Sequence, residues 1–273
     1  MSRRLIAFDI DGTVFYKGLP PSERLMRAFE ERHKAGDIIS VSTGRCRSII
    51  PAPIRAQGFI DYMILSNGAR TIDARTGETV SFTPLPHGEA ARAFSLVTGR
   101  PSGCIYYESG IVMDRGGSIF IAYPKGATRE EMAMIDEIRR ETRLVFNAKK
   151  HLLKCGSPIE KISLFFRDKE KSKESCELLR ENTALTVAFT YGEMELTAND
   201  VSKGRALVEL SKKLDIKKED VISFGDSGND LSMKESSGCF VAMGNAEPFV
   251  KEAADIVAAP VWEDGVAGVL ETL

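Results

Sequence analysis

Four short stretches of this chain carry residues suited to chemistry. The first is Asp9-Ile10-Asp11-Gly12-Thr13, directly after the apolar run Leu5-Ile6-Ala7-Phe8. That run reads as a buried strand and Gly12 as the break after it. Strand alternation sends Asp9 and Asp11 to one face, where like charges repel and raise each other's pKa. Solvated turn aspartates are the plain alternative; a cation bound between the carboxylates is the economical reason to keep them together. With Gly and Thr following, the arrangement suits a metal-assisted nucleophilic site for phosphoryl groups. The second stretch, Thr43-Gly44-Arg45, leaves the run Ile38-Ile39-Ser40-Val41-Ser42. Thr43 could hydrogen-bond a phosphate oxygen, and N–H groups from Gly44 onward could face the anion from a helix N-terminus. Standing alone, the tripeptide reads first as a helix cap. The third is Lys203, in Asn199-Asp200-Val201-Ser202-Lys203-Gly204. Ser202 or Asp200 caps the helix that follows, so Lys203 falls in its first turn, where the macrodipole disfavours a cation. A lysine there gains meaning if it faces carboxylates and a phosphate; the alternative is a solvated surface lysine. The fourth is Gly225-Asp226-Ser227-Gly228-Asn229-Asp230, after Val221-Ile222-Ser223-Phe224. Carboxylates and an amide among glycines suit an Mg2+ site. A turn and cap cluster accounts for one of them, not for the set.

The elements that must position these residues alternate. After the first strand, Ser22 caps a helix running to about Lys34, with Leu25, Met26 and Phe29 at helical spacing and Gly36 ending it. Residues 38–42 form a second strand, followed by a helix to about Gln57 that Pro51 and Pro53 interrupt. Tyr62 to Leu65 is a third strand, ending at Ser66-Asn67-Gly68, and a hairpin over Ala69 to Phe82 turns at Thr76-Gly77. This rhythm predicts an α/β fold with a parallel sheet flanked by helices. Pro84 and Pro86 break it. Helical stretches near 87–98, 128–141 and 169–181 then interleave with strand-like runs near 103–107, 118–122, 161–167 and 185–190. That segment reads as an inserted α+β domain, 84–190, with the core made of 1–83 and 191–273. The alternation resumes with a helix around 203–213, strand 221–224, a helix from Asn229, strand 239–242 and a final helix near 263–272. In open parallel sheets the site lies outside the carboxyl ends of the strands, and all four stretches fall at such ends.

Composition sets the remaining limits. The 273 residues suffice for one large domain or two of ordinary size, and a core of that size needs no disulfide or metal staple. Charged residues are 28% and hydrophobic residues 43%, within the ordinary range of soluble globular chains. A net charge of −2 with no basic block argues against nucleic acid or an anionic membrane as partner. Cysteines 46, 104, 155, 176 and 239 are odd in number and scattered, which fits free thiols in a reducing compartment. His33, His87 and His151 show no metal-ligand spacing. The run after Arg3-Arg4 is too short for a signal peptide, and no apolar run reaches membrane-spanning length. A cytoplasmic protein is the expectation.

Taken together, in this order and at successive strand ends, the four stretches resemble the signature motifs of the haloacid dehalogenase superfamily of phosphohydrolases. The insertion is similar to the type II cap, subclass B, of the Cof-like phosphatases. The wording Ser42-Thr43-Gly44-Arg45, Gly225 to Asp230, the tail Val241-Ala242-Met243-Gly244-Asn245-Ala246 and Ala253-Ala254-Asp255 support that subfamily. Within the insertion little beyond Glu160-Lys161-Ile162 is similar. The resemblance implies a Rossmann-like core with a cap domain and hydrolysis of small phosphorylated metabolites, such as sugar phosphates, with Mg2+. It implies Asp9 as the nucleophile that forms an aspartyl-phosphate, and Asp11 as general acid and base. Asp9 and Asp226 would hold the metal by their carboxylates and Asp11 by its backbone carbonyl, with Asp230 orienting a metal-bound water. Lys203 would neutralise charge, while Thr43, the Gly44 amide and Asn229 would hold phosphate oxygens. Arg45 and Asn67, and Tyr106, Glu108 and Lys161 in the cap, are the candidates for substrate contact. A monomer or weak homodimer is expected. A phosphomutase, or a protein sensing a phosphorylated ligand, are the competing readings.

Overall fold

Leu5, Ile6, Ala7 and Phe8 are all buried, as befits a strand covered on both faces. They form β1 (Leu5–Phe8) in a computed structural model that describes residues 3–123, 125–190 and 192–273, with the side chains of Ile119, Phe120 and Thr190 outside the description. The helix Glu23–Lys34 follows, capped by the Ser22 hydroxyl, which accepts from the Leu25 N–H at 3.1 Å. Next come β2 (Ile38–Ser42) and β3 (Tyr62–Leu65), and then the hairpin β4 (Arg70–Asp73) and β5 (Thr79–Phe82). The hairpin turns where the sequence predicts, with Asp73 accepting from the Arg75 and Thr76 amides at 2.9 and 3.0 Å. Between β2 and β3 the two prolines leave only a 3-10 turn, Arg47–Ile49, and the short helix Ala52–Arg55.

The chain then builds a second sheet from β6 (Ser102–Tyr107), β7 (Gly110–Asp114), β8 (Thr142–Val145), β9 (Lys161–Phe165), β10 (Thr186–Thr190) and β11 (Glu193–Thr197). It returns to the first sheet with β12 (Val221–Gly225), β13 (Cys239–Ala242) and β14 (Ile256–Val257). The first sheet has the order β14-β13-β12-β1-β2-β3-β4-β5. It is parallel from β14 to β3, and β4 and β5 run antiparallel. The second sheet has the order β10-β11-β9-β6-β7-β8 and is antiparallel except for the β7–β8 pair. Among the described residues no helix is long and apolar enough to cross a membrane.

Two compact units result. One takes in residues up to 44, 51–82 and 202–273; the other takes in 45–50 and 83–201. The sequence reading places the inserted domain at 84–190, a limit that falls between β10 and β11, which pair antiparallel from Thr186↔Thr197 to Thr190↔Glu193. The compact unit therefore runs on to Val201. It also includes the short segment 45–50, because Cys46 and Ile49 pack in an apolar cluster with Cys104, Tyr106, Ile111 and Met113. A strand expected at 118–122 is not one: residues Arg115–Ile121 are 3-10 turns, and the strand lies upstream at β7. The tight return at Glu108-Ser109, with Gly110 at φ +137°, makes that hairpin and takes up the apolar run Ile111-Val112-Met113. The helices of the second unit cover one face of its sheet around Ile105, Ile162, Leu164, Met194 and Leu196.

In the first unit, the helix Lys203–Lys213 packs with the short helix Leu231–Lys234. Gly204 makes that contact possible, since a Cβ there would stand 1.9 Å from the Ser232 carbonyl oxygen. A helical Gly→Ala change ordinarily stabilises by up to about 1 kcal/mol. Here the backbone contact reverses the sign, and Gly204→Ala should cost about 1–3 kcal/mol in urea unfolding; equal or greater stability of the variant would contradict this packing.

Candidate active site

β12, β1, β2 and β3 are neighbours in the first sheet, so Asp226, Asp9, Thr43 and Ser66 leave it side by side at its carboxyl edge. Three of the four sequence stretches meet in one cluster. The Lys203 ammonium donates to Asp9 Oδ1 and to Asp230 Oδ1, each at 2.7 Å. Asp9, Lys203 and Asp230 are 4%, 1% and 0% exposed, so this ion-pair triad has almost no water to share. Asp9, Asp226 and Asp230 each bring a carboxylate oxygen within 4.8 Å of the others.

Local structure accounts for each position. Ser202, not Asp200, caps the lysine helix, accepting from the Arg205 N–H at 3.1 Å. Lys203 thus sits in the first turn, against the macrodipole, as the sequence predicts. Asp230 acts as a brace for its own loop. Its Oδ2 accepts from the Asp226 and Ser227 amides at 3.0 and 3.1 Å, while Oδ1 takes the lysine. Gly12 has φ +84°, and a Cβ at that position would lie 2.1 Å from Asp226 Oδ2, so only glycine permits the first loop to close on the fourth. Thr13 Oγ1 donates to Asp226 Oδ1 at 3.4 Å across the same gap.

Asp11 behaves differently from the expectation of strand alternation. β1 stops at Phe8, and Asp11 lies beyond it in an isolated bridge with Phe15, exposed while Asp9 is buried. Its carboxylate is outside the three-acid cluster, although its charge still bears on Asp9. Thr43 is buried at the exit of β2 and its carbonyl accepts from the Asn67 N–H at 3.0 Å. The Asn67 side chain in turn accepts from Asn229 Nδ2 at 3.2 Å, so the second, third and fourth strand ends are tied in series. Ser66, Asn67 and Gly68 all have left-handed φ values, and a Cβ on Gly68 would stand 2.2 Å from the Ser202 carbonyl oxygen. Gly44 closes the first-unit segment; Arg45 belongs to the second unit, where it donates to the Ile49 carbonyl at 2.9 Å. There too, Lys161 pairs with Glu195 and lies 4.5 Å from the centre of the Tyr106 ring, and Glu108 faces Arg47 at 4.0 Å. Two further polar groups stand at the cluster without a separate mark in the sequence: Thr13, and Asn245, whose Nδ2 donates to the Gly12 carbonyl at 2.8 Å. Each could have been found by position, Thr13 as the residue that closes the first motif and Asn245 as the polar residue past the end of β13.

The electrostatics are those of too many acids for one base. Burial pushes the Asp9 carboxyl well above its ordinary range; Lys203 opposes this, and Asp230, Asp11 and Asp226 reinforce it. Burial, then Asp230, pushes Asp226 up to about 7, with Lys203 and the Thr13 hydroxyl opposing. Burial alone would lower the Lys203 ammonium, but Asp230 and Asp9 outweigh it and hold the lysine charged. Three carboxylates against one ammonium leave an excess of negative charge that a divalent cation would neutralise. The donors are all oxygen, so the set fits a hard cation such as Mg2+ rather than a thiophilic one.

An acid whose pKa is raised on folding costs stability as pH rises from its unfolded value to its folded one, and a cation bound to the ionised form removes that cost. Added Mg2+ should therefore raise the unfolding temperature more at about pH 8 than at about pH 5.5, where protons hold the acids. Thermal unfolding with and without Mg2+ checks this, and equal shifts at both pH values would count against the cluster as the binding site.

The sequence profile of haloacid dehalogenase-like hydrolases matches residues 6–270. Among curated proteins, phosphatase YwpJ of Bacillus subtilis is 28% identical over 287 residues, covering 99% of each chain. The 5-amino-6-(5-phospho-D-ribitylamino)uracil phosphatase YcsE of Bacillus subtilis is 26% identical over 265 residues, covering 97% of this chain and 93% of its own. Among solved structures, a haloacid dehalogenase-like hydrolase from B. subtilis superposes with a TM-score of 0.89 at 26% identity, over 99% of both chains. The subclass IIB sugar phosphatase BT4131 shares the fold, with a TM-score of 0.80 at 24% identity over 98% of both chains. The chain belongs to the haloacid dehalogenase-like hydrolase family, and the two curated relatives named here are enzymes called phosphatases.

Proposed function

We propose that this protein is an Mg2+-dependent phosphomonoesterase that releases phosphate from small phosphorylated metabolites, sugar phosphates among them, through an aspartyl-phosphate on Asp9. The observation that carries the reading is the buried Lys203 ammonium bridging Asp9 and Asp230, beside Asp226. Asp9 and Asp226, with the Asp11 backbone carbonyl and Asp230 in support, would hold Mg2+, which supplies charge neutralisation where one anion must attack another. In the first half-reaction an Asp9 oxygen forms a bond to phosphorus while the ester P–O bond breaks, and Asp11 gives its proton to the leaving alkoxide. In the second, Asp11 takes a proton from the water that attacks phosphorus, and the bond to Asp9 breaks. Exposure suits Asp11 to this exchange, because a general acid and base must reach both the leaving group and water. Burial suits Asp9, whose carboxylate is held by Lys203 in one orientation. Thr43, the Gly44 amide and Asn229 hold the phosphate oxygens, with Lys203 adding positive charge.

The second unit is the cap in this reading, and Arg45, Tyr106, Glu108 and Lys161 are the residues that discriminate among leaving groups. Small substrates are favoured because a relative of near-equal length is named for one, a phosphorylated ribitylaminouracil. A phosphomutase with the same Asp pair is the second reading, and release of inorganic phosphate without a bisphosphate activator separates the two.

The test is a panel of phosphorylated metabolites assayed with Mg2+ and with chelator, alongside Asp9→Asn. Loss of the nucleophile should abolish turnover while leaving thermal unfolding cooperative and near wild-type. Hydrolysis by Asp9→Asn at the wild-type rate would remove the nucleophile, and tight ligand binding without turnover by the wild type would favour a sensor.

A further inference from the structure

The loop that follows β13 lies outside the chemistry above, yet it is bonded to both carboxylate-bearing loops. Asn245 is its centre. The Nδ2 of Asn245 donates to the Gly12 carbonyl at 2.8 Å, and its Oδ1 accepts from the Val261 N–H at 2.8 Å. On either side, the Met243 N–H donates to the Gly225 carbonyl and the Glu247 N–H to the Asp226 carbonyl, each at 3.0 Å. One short segment therefore grips the loop that carries Asp9 and Asp11 through a side chain, and the loop that carries Asp226 and Asp230 through its backbone. Gly244 is packed tightly here, since a Cβ on it would lie 2.8 Å from the Pro260 nitrogen.

The gap being spanned is the one that matters most. Gly12 and Asp226 approach so closely that a single added carbon would collide with the carboxylate, and Thr13 contacts Asp226 across the same gap. Together the two loops bring three carboxylates close to the single ammonium of Lys203. A neutral amide is the appropriate side chain to hold them. It donates to the Gly12 carbonyl of the first loop and accepts the Val261 N–H, which anchors it within its own end of the chain, and it adds no charge to a crowded cluster.

Resting on the phosphatase reading, we propose that Asn245 is a positioning residue: it fixes the Gly12 carbonyl, and with it the Asp9–Thr13 loop, at the spacing from Asp226 that divalent cation binding and phosphoryl transfer require. Alanine at 245 removes both bonds and frees the first loop to move away from the fourth. The cation must then restore the spacing at the expense of its own affinity. Substrate binding to Thr43 and Gly44 is untouched, so the effect falls on kcat rather than on KM.

The test compares Asn245→Ala and Asn245→Ser with Val250→Ala, a buried apolar truncation in the neighbouring helix Pro248–Ala253 that leaves the backbone hydrogen bonds in place. Mg2+ binding is measured by calorimetry on each full-length protein, together with unfolding temperature, kcat and KM. Both Asn245 variants should bind Mg2+ and turn over about tenfold less well, with KM within about twofold, while Val250→Ala loses thermal stability with Mg2+ affinity unchanged. Serine is too short to bridge both partners, so a folded Asn245→Ser answers the question even where the alanine variant does not fold. Asn245 variants that keep wild-type Mg2+ affinity and kcat, and lose only thermal stability as Val250→Ala does, would overturn the proposal. Wild-type protein that binds no Mg2+ at all would instead remove the phosphatase reading beneath it.

Discussion

A lysine ammonium buried at the start of a helix, between two buried aspartates, is the constraint on which the first unit turns. Removing the lysine would leave two buried carboxylates without their counter-charge, at a cost of about 3–5 kcal/mol. The triad is therefore costly to keep unless it is used. Its members come from three separate places: Asp9 at the end of β1, Lys203 at the start of its helix and Asp230 in the loop after β12. Each needs a local device to arrive there. Ser202 caps the helix, Gly12 takes a left-handed φ against Asp226, and Asp230 spends its second oxygen on the amides of its own loop. Burial and then acid crowding raise Asp9 and Asp226 at the same spot, and a hard divalent cation is the simplest answer to that gathering of acids.

The proposed reaction gives different work to the two acids of the first motif. Asp9 is buried and held by the ammonium; Asp11 is past the strand and open to water. A nucleophile profits from a fixed direction, and a proton carrier from access. The left-handed run Ser66-Asn67-Gly68 plays a supporting part, linking the exit of β3 to Thr43, to Asn229 and to the cap of the lysine helix. Non-glycine residues in that conformation persist only where their surroundings fix them, and Thr43 and Asn229 are among the partners that hold Asn67 here.

Much of this was legible in the sequence because the signals are local. An apolar run followed by Asp-x-Asp-Gly-Thr, a lysine placed against a helix dipole and a glycine-flanked acidic loop each carry their own physical reason, and the structure brings them together. The hairpin at Asp73 to Gly77 was equally legible from its turn residues. What was not legible depends on pairing over distance. β7, β8 and β11 are short and are strands because neighbours accept them, β7 beside β6, β8 beside β7 and β11 beside β9. The extension of the second unit to Val201 follows from the β10–β11 hairpin, and the inclusion of 45–50 follows from Cys46 and Ile49 packing with Cys104 and Tyr106. Strand alternation also misjudged Asp11, because the strand ends one residue before Asp9. The tail around Asn245 read only as a family signature; its reach to Gly12 spans 233 positions of sequence and has no local mark.

The central claim is that one divalent cation belongs among Asp9, Asp226 and Asp230. Crystals grown with Mn2+ in place of Mg2+ test it most directly, through the anomalous signal of the metal. The account predicts a single strong peak in contact with the carboxylates of Asp9 and Asp226, close to Asp230. A peak elsewhere in the first unit with none at these residues, or fully occupied crystals with no peak at the cluster, would contradict it.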